Sequence, residues 1–395
     1  MDFKLTDEQT KLRKEFFDVC EGLEKKKPKG FAGLEGIYDT DEGWEYHLDC
    51  AREFGKRGWL SLGWPEEYGG QGTIMDKVFL SEATGYHDVP GVDIFGVNML
   101  APTLLAAATD EMRKEYLPSI ASGERMWCEL WSEPNAGSDL AALTTSAVRK
   151  GDEYVINGQK IWSTGAHRGD WAFALVRTDP HADRKQKGIT FLLMDMKIPG
   201  VTVKPLLYMD RCHLYNEVFL DDVRVPVRNV VGEENQGWGV TQTLANFERS
   251  SLGAIMAMHR QIEEVVEYCN ETKANGVPLA KNQLVRNRLA QMASELWASH
   301  ALAYKIADAQ SKNEMAAFDA SAVKVLSGEL QARMAQFGCD LLGPYGQVKH
   351  SKWAQFDGFF EKWYQQSFIL NVAMGTNEIQ RNIIAWYGLG LPRMK

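Results

Sequence analysis

Two kinds of residue in this 395-residue chain are placed to do chemistry: acids set among apolar side chains, and tryptophans followed by serine. Glu248, in ANFERSS, falls one helical turn after Leu244 and one before Leu252, so on a helix it projects from an apolar stripe. Desolvation there would raise its pKa toward a range useful for proton transfer, whereas the ordinary role of a Glu followed by an Arg, here Arg249, is a solvated ion pair. Asp93, in GVDIFGV, is a second acid among hydrophobes, flanked by Val92, Ile94 and Phe95, where the common role is a helix cap. The Trp-Ser pairs stand in residues 131–139, WSEPNAGSD, and 157–165, NGQKIWSTG, and residues 375–385 read GTNEIQRNIIA. Taken singly these are ordinary: a lone Trp is more often a sheet core aromatic, and Asn, Gly and Ser favour turns for local reasons.

The elements that must position these residues follow from periodicity. Thr6 with Gln9 fits a capping box, a helical pattern runs through Leu12, Phe16 and Phe17, and a further helix is expected near 44–54. Between roughly 124 and 236, runs such as DEYVING, DWAFALVRTD, GITFLLMDM and YNEVFLDDVRVP alternate with Gly, Asp and Pro turns, the pattern of short strands. Long helices return from Gly239: Leu244, Leu252, Ile255, Met258 and Ile262 keep helical steps, as do Val285, Leu289, Met292 and Leu296. The expected fold is mainly α with a central β-domain: a helical domain over 1–123, a β-barrel-like domain over 124–236 and a four-helix bundle over 237–395. Gly69, Gly70 and Gly72 lie between helical segments, and no GxGxxG follows a strand, so a Rossmann site is not expected.

Composition narrows the partners. A hydrophobic content of 45% and a charged content of 25% are those of a globular protein, and a net charge of -9 argues against a nucleic-acid surface. The run Lys25–Lys29 is broken by Pro28 and reads as a solvated loop. Six cysteines without a CxxC pair or nearby His point to reduced, mostly buried thiols and to no metal site. No stretch approaches the roughly 20 apolar residues of a membrane span, and the first residues are charged, so a cytoplasmic protein is expected.

The order and spacing of the three segments resemble the acyl-CoA dehydrogenase family over essentially the whole chain. The resemblance implies FAD, an acyl-CoA substrate, an electron-transfer flavoprotein or similar acceptor, and a homotetramer built as a dimer of dimers. It implies that Leu130 and Ser132 border the isoalloxazine ring, Trp162 covers one side with Ser163 beside it, and Thr164 bonds near N5. Gly137 and Ser138 then serve the cofactor, with Ser138 also touching the pantetheine arm. Gly343, Thr376 and Glu378 would cradle FAD from a neighbouring subunit, the ordinary role of Gly343 being a helix C-cap. Residues 272–276 read TKANG where family members often carry an RxxFG turn whose Arg meets the pyrophosphate; Lys273, Arg286 or Arg288 are candidate substitutes.

The common family pattern has its catalytic Glu where this chain has Met374, so the chain resembles the subgroup lacking that Glu. A backbone N–H does not depend on side chain, so Met374, with Gly375 beside it, is expected to serve the thioester oxygen. Some relatives supply the base from the position before an Arg matched here by Arg249, which makes Glu248 the expected base and Asn246 and Arg249 its substrate-contacting neighbours. Asp93 is the competitor, suited to a ring-shaped acyl group. The expected reaction is α,β-dehydrogenation of an acyl-CoA to an enoyl-CoA, of a cyclic, branched or bulky acyl group. The alternatives are a half-site subunit of a hetero-oligomer and an acyl-CoA oxidase.

Overall fold

A computed structural model describes residues 4–248, 252–312, 314 and 317–393; the side chains of 245–248, 252 and 317 lie outside that description. By contacts the chain gathers into two compact units, one of residues 33–72 and 90–248, the other of 1–32, 73–89 and 249–395. The helical, β, helical order expected from periodicity is the order observed.

The first unit is built on a seven-stranded sheet: β1 Trp127–Leu130, β2 Ser146–Lys150, β3 Glu153–Lys160, β4 Trp171–Arg177, β5 Ile189–Asp195, β6 Val201–Leu206 and β7 Tyr215–Pro226. Its order is β1-β4-β2-β3-β7-β6, with β5 pairing β4, and β1 lies parallel to β4 with Trp127 opposite Trp171. The four runs of β-forming residues in the sequence became β3, β4, β5 and β7. β1, β2 and β6 are shorter, and β6 carries Pro205, which an end strand tolerates because one edge needs no amide. The middles of β4 and β5 are buried on both faces, which is why they are continuous apolar runs. Ile156, Ala172, Ala174, Leu192, Met194, Val218 and Val223 belong to one packed cluster. Phe173 stacks on Phe191 at 5.7 Å and meets Phe95 and Trp131 at 6.3 and 6.0 Å.

The second unit is helical. Thr6 and Gln9 form the reciprocal capping box of helix Asp7–Glu24, and Thr73 with Asp76 does the same for Ile74–His87. Ile74–His87 packs on Asp7–Glu24 and on Leu252–Glu271, and Gln283–Ser311 packs on Ala317–Leu342. A Cβ on Gly85 would come within 2.2 Å of the Gly253 carbonyl oxygen, so glycine there lets two helices approach closely. Of the apolar stripe, Ile255, Met258, Met292 and Leu296 are buried. Of the basic run, Lys27 reaches Asp88 at 3.2 Å and is not simply solvated. Among the described residues no helix is long and apolar enough to cross a membrane. The six cysteines are free, five of them buried.

Candidate functional site

The two Trp-Ser segments converge on one edge of the sheet. β1 ends at Leu130, fully buried, and the chain turns through 131–136, where Glu133 and Ala136 exchange backbone hydrogen bonds. β3 ends at Lys160, and Ile161 N donates to the Ser132 carbonyl at 2.9 Å, so the two turns are tied together. Trp131 goes inward, 9% exposed against Phe173, as a core aromatic would. Trp162 does not. It holds a left-handed φ of 63°, leaves 47% of its surface exposed and stands edge-on to Tyr215 at 5.6 Å. A non-glycine residue there costs about 1 kcal/mol or more, and such strain concentrates at functional sites. Ser163 is buried, Thr164 partly so, and the turn is closed by Ser163 N to the Asn216 carbonyl and Gly165 N to the Leu214 carbonyl.

A buried ion pair that sequence reasoning passed over holds this edge. Lys160, fully buried, donates to Glu133 Oε1 at 2.9 Å and to the carbonyls of Trp131 and Leu175 at 3.0 and 2.7 Å. Glu133 also accepts from Thr144 N, Thr144 Oγ1 and Thr145 N at 2.7–2.9 Å. Burial pushes the Glu133 carboxyl up, but the Lys160 charge and these donors outweigh it and hold it at about 2. Burial pulls Lys160 down to about 8, against the opposing pull of Glu133. Both groups are therefore ionised at neutral pH, and every ammonium proton has an acceptor. Alternation along β3 was the available signal, since it turns Lys160 to the same side as the buried Ile156.

The residues fit a flat aromatic cofactor. Trp162 offers an exposed face, while Ser163 Oγ and Trp131 Nε1 are buried polar atoms without a partner among the described residues. Such groups are costly unless something bonds them. Gly137 and Ser138 lie exposed on the following loop, and a Cβ on Gly137 would meet nothing within 4 Å. Packing inside this chain therefore does not demand glycine there.

Asp93 sits at the other end of β1. It is 5% exposed and caps the turn Ile94–Leu100, accepting from Phe95 N at 3.1 Å and Trp127 N at 3.0 Å. Burial raises its carboxyl to about 7, the backbone donors pulling the other way. The geometry is that of a cap that also ties this turn to the sheet, with a pKa in the range of a base.

In the helical unit, Met374 and Gly375 are both left-handed, at φ 57° and 77°, and Gln380, 1% exposed, donates from Nε2 to the Met374 carbonyl at 2.7 Å. Thr376 caps helix Asn377–Ile383 through Ile379 N, and Glu378 is exposed in its first turn, its carboxyl lowered by a backbone N–H and the Thr376 side chain. Asn377, buried, accepts from Lys324 Nζ at 2.8 Å and donates to Asn371 Oδ1 at 2.8 Å, a support the sequence reading did not name. Gly343, at φ 57°, follows helix Ala317–Leu342 as a C-terminal turn residue. TKANG forms a hairpin of Lys273–Ala274 and Val277–Pro278 around Asn275 and Gly276, both left-handed. Lys273, Arg286 and Arg288 are exposed, and Arg286 donates from Nη1 to the Ala280 carbonyl at 3.2 Å. Helices Gly237–Glu248 and Leu252–Glu271 are described on either side of residues 249–251, which lie outside the described residues. Arg249 and the side chains of Asn246 and Glu248 lie outside the described residues.

Comparison with known proteins covers the whole chain. The families described as acyl-CoA dehydrogenase N-terminal, middle and C-terminal domain match residues 6–124, 128–223 and 235–387. Acyl-CoA dehydrogenase FadE26 of Mycobacterium tuberculosis is 34% identical over 402 residues, spanning 100% of this chain and 99% of its own. A solved structure named Tcur3481-Tcur3483 steroid ACAD is 32% identical, covers 100% of both chains and superposes with a TM-score of 0.88. The ChsE4-ChsE5 complex from Mycobacterium tuberculosis is 33% identical with the same coverage and a TM-score of 0.86.

Proposed function

The chain belongs to the acyl-CoA dehydrogenase family, and from that premise we propose that it dehydrogenates the α,β bond of a cyclic or otherwise bulky acyl-CoA to an enoyl-CoA. The observation that carries the reading is the 161–165 turn, with its exposed, left-handed Trp162 beside the unpaired buried Ser163 Oγ. FAD, once bound, supplies the two-electron acceptor for the β-hydrogen. In this reading Trp162 covers the ring, Leu130, Ser132, Ser163 and Thr164 border it, and Gly137 and Ser138 leave room for the remainder of the ligands. Gly343, Thr376 and Glu378 act from a neighbouring copy in a homotetramer. Electrons leave to an electron-transfer flavoprotein or similar carrier in the cytoplasm.

The protein's own work is proton removal and charge stabilisation. Glu248 takes the α-proton, with Asn246 and Arg249 positioning the thioester. Met374 offers its backbone N–H to the developing charge on the thioester oxygen, while the Gln380 bond to the Met374 carbonyl holds the following peptide, in the left-handed pair 374–375. The bulky acyl group is inferred from Met374, which leaves the usual base position without a charge, and from the steroid named for the structural relative.

Glu248→Gln is expected to keep the yellow flavin band and slow anaerobic bleaching by acyl-CoA about 100-fold or more, the low end of acid–base contributions. A near-neutral Glu248→Gln together with a dead Asp93→Asn would transfer the role to Asp93. Bleaching against straight, branched, cyclic and steroid-ring CoA esters identifies the acyl class. One observation favours a second reading, a subunit completing a partner's site: a structural relative is described as a complex of two different proteins. Colourless protein that becomes active only with a second polypeptide would support it.

A further inference from the structure

Behind the 161–165 turn lies a chain of polar groups that the reaction as proposed does not use. Asn216, fully buried in β7 opposite Pro205, donates from Nδ2 to the Ser163 carbonyl at 3.0 Å, while its own carbonyl accepts from Ser163 N at 3.1 Å. The same Nδ2 lies 3.1 Å from His167 Nδ1, and Asn216 Oδ1 lies 2.8 Å from His213 Nε2. His167 Nε2 lies 3.0 Å from the Tyr38 carbonyl. The two imidazoles stack at 3.8 Å with 16° between their planes.

Acceptor-only groups at both ends settle the directions. The Ser163 carbonyl can only accept, so the amide nitrogen of Asn216, not its oxygen, must face it. That nitrogen has one further N–H, so His167 Nδ1 must carry a lone pair. The Tyr38 carbonyl likewise requires the His167 proton on Nε2. His167 is therefore a neutral imidazole in one tautomer, and His213 donates to Asn216 Oδ1. A proton added to His167 Nδ1 would face the Asn216 N–H head-on and release Ser163.

The groups around His167 oppose that proton. Burial lowers its pKa first, with His213 and Arg168 adding to the effect and the Tyr38 carbonyl opposing it. Arg168 is held at 2.7 Å by Asp41, and Asp39 is occupied by His213 N at 2.8 Å, so neither nearby carboxylate bonds the imidazole of His167 among the described residues.

We infer that Asn216, aligned by neutral His167 and by His213, is the positioning residue that sets the Trp162–Ser163–Thr164 turn for the flavin. This rests on the flavoprotein reading, and its test separates the two. Asn216→Asp keeps the shape but loses both donated hydrogen bonds and sets a carboxylate beside His167. FAD should then bind about 10-fold or more weakly, the expected cost of a lost buried hydrogen bond. The visible flavin band of the wild-type holoenzyme should persist to a pH below the ordinary histidine range and then be lost, and in Asn216→Asp, where no N–H is left to meet a proton on His167 Nδ1, that acid step should disappear. In ¹⁵N-histidine-labelled protein, with or without FAD, His167 should appear as the Nε2–H tautomer at neutral pH.

Wild-type affinity and an unmoved pH profile in Asn216→Asp overturn the inference, as does an Nδ1-protonated His167 at neutral pH. Should Asn216→Asp fail to fold, His213→Phe keeps the ring stack while removing the donor to Asn216 Oδ1. A loss of FAD affinity of a few fold is expected there, and none would overturn the assignment. Wild-type protein that takes up no FAD refutes the flavoprotein reading, while the tautomer still decides the hydrogen-bond chain.

Discussion

Glu133 in the β-unit and Glu82 in the helical unit are both buried carboxylates with several donors, yet they are satisfied in opposite ways. Glu133 draws on Lys160, Thr144 and Thr145, all within residues 133–160, and its ammonium partner is cut off from solvent. Glu82, 1% exposed, draws on Arg13 Nε at 2.7 Å, Tyr304 Oη at 2.8 Å and His300 Nε2 at 3.0 Å, from helices at the two ends of the chain. Burial pushes its carboxyl up, but His300 and Arg13 outweigh that and leave it below its ordinary value. The first arrangement makes one edge rigid, where flavin contacts are proposed. The second fastens distant segments into one helical unit, and its cation, Arg13, remains 36% exposed.

The sharpest break in the comparison is Lys160→Met, which leaves Glu133 charged, buried and short of a cation. A loss of about 3–5 kcal/mol is expected, read from the urea midpoint, with weakened flavin retention. Adding Glu133→Gln should recover part of it, because an unpaired charge costs more than an absent pair. Glu82→Gln is expected to cost about 2–3 kcal/mol, since the neutral amide turns one acceptor into a donor facing other donors. Arg13→Met should cost about 2 kcal/mol, less than Lys160→Met because the lost cation was partly in water, but more than an exposed pair because Glu82 stays buried. If Arg13→Met proved as damaging as Lys160→Met, solvent access would not be what separates the two carboxylates.

The smallest net effect is in pH dependence, where two opposed terms offset one another. Burial lowers His47, whose Nδ1 accepts from Gly91 N at 3.1 Å, from 6.5 to about 4, so stability falls as pH drops through that span. Asp93 titrates at about 7 against an ordinary 3.8, so the folded protein keeps its proton longer and stability falls as pH rises through that span. Each slope is at most about 1.4 kcal/mol per pH unit, and between about 4 and 6.5 they oppose one another within the β-unit. Asp93→Asn should therefore uncover a steeper acid loss in thermal midpoint, and His47→Gln the reverse. The helical unit holds a second depressed histidine, His259, lowered to about 4 mainly by burial and next by His300. Its stability should fall on the acid side in the same direction as the His47 term.

Much of the secondary structure was legible because its causes are local. A Thr three residues before a Gln, ahead of a helical run, forms a capping box from local contacts alone, and runs such as WAFALVR and ITFLLMD form strands because they carry β-branched and apolar residues between turns. The candidate site was legible as a set of motifs, but not as a set of contacts. The same Trp-Ser pair occurs at 131 and 162, and nothing in the two dipeptides says that one indole is buried on Phe173 while the other stands half-exposed in a left-handed turn. Alternation along β3 can turn Lys160 inward, but only the fold shows Glu133 and two carbonyls around it.

By itself, then, the order of residues determined the element types, which depend on neighbours within a turn or a strand, and the family, which depends on the order and spacing of its motifs. Only the tertiary structure decided that Asp93 caps a turn against Trp127, that Ser163 is clamped by Asn216, and that the Met374 carbonyl is held by Gln380. Hydrogen bonding and desolvation act over a few ångströms of space, and sequence separation does not measure that distance.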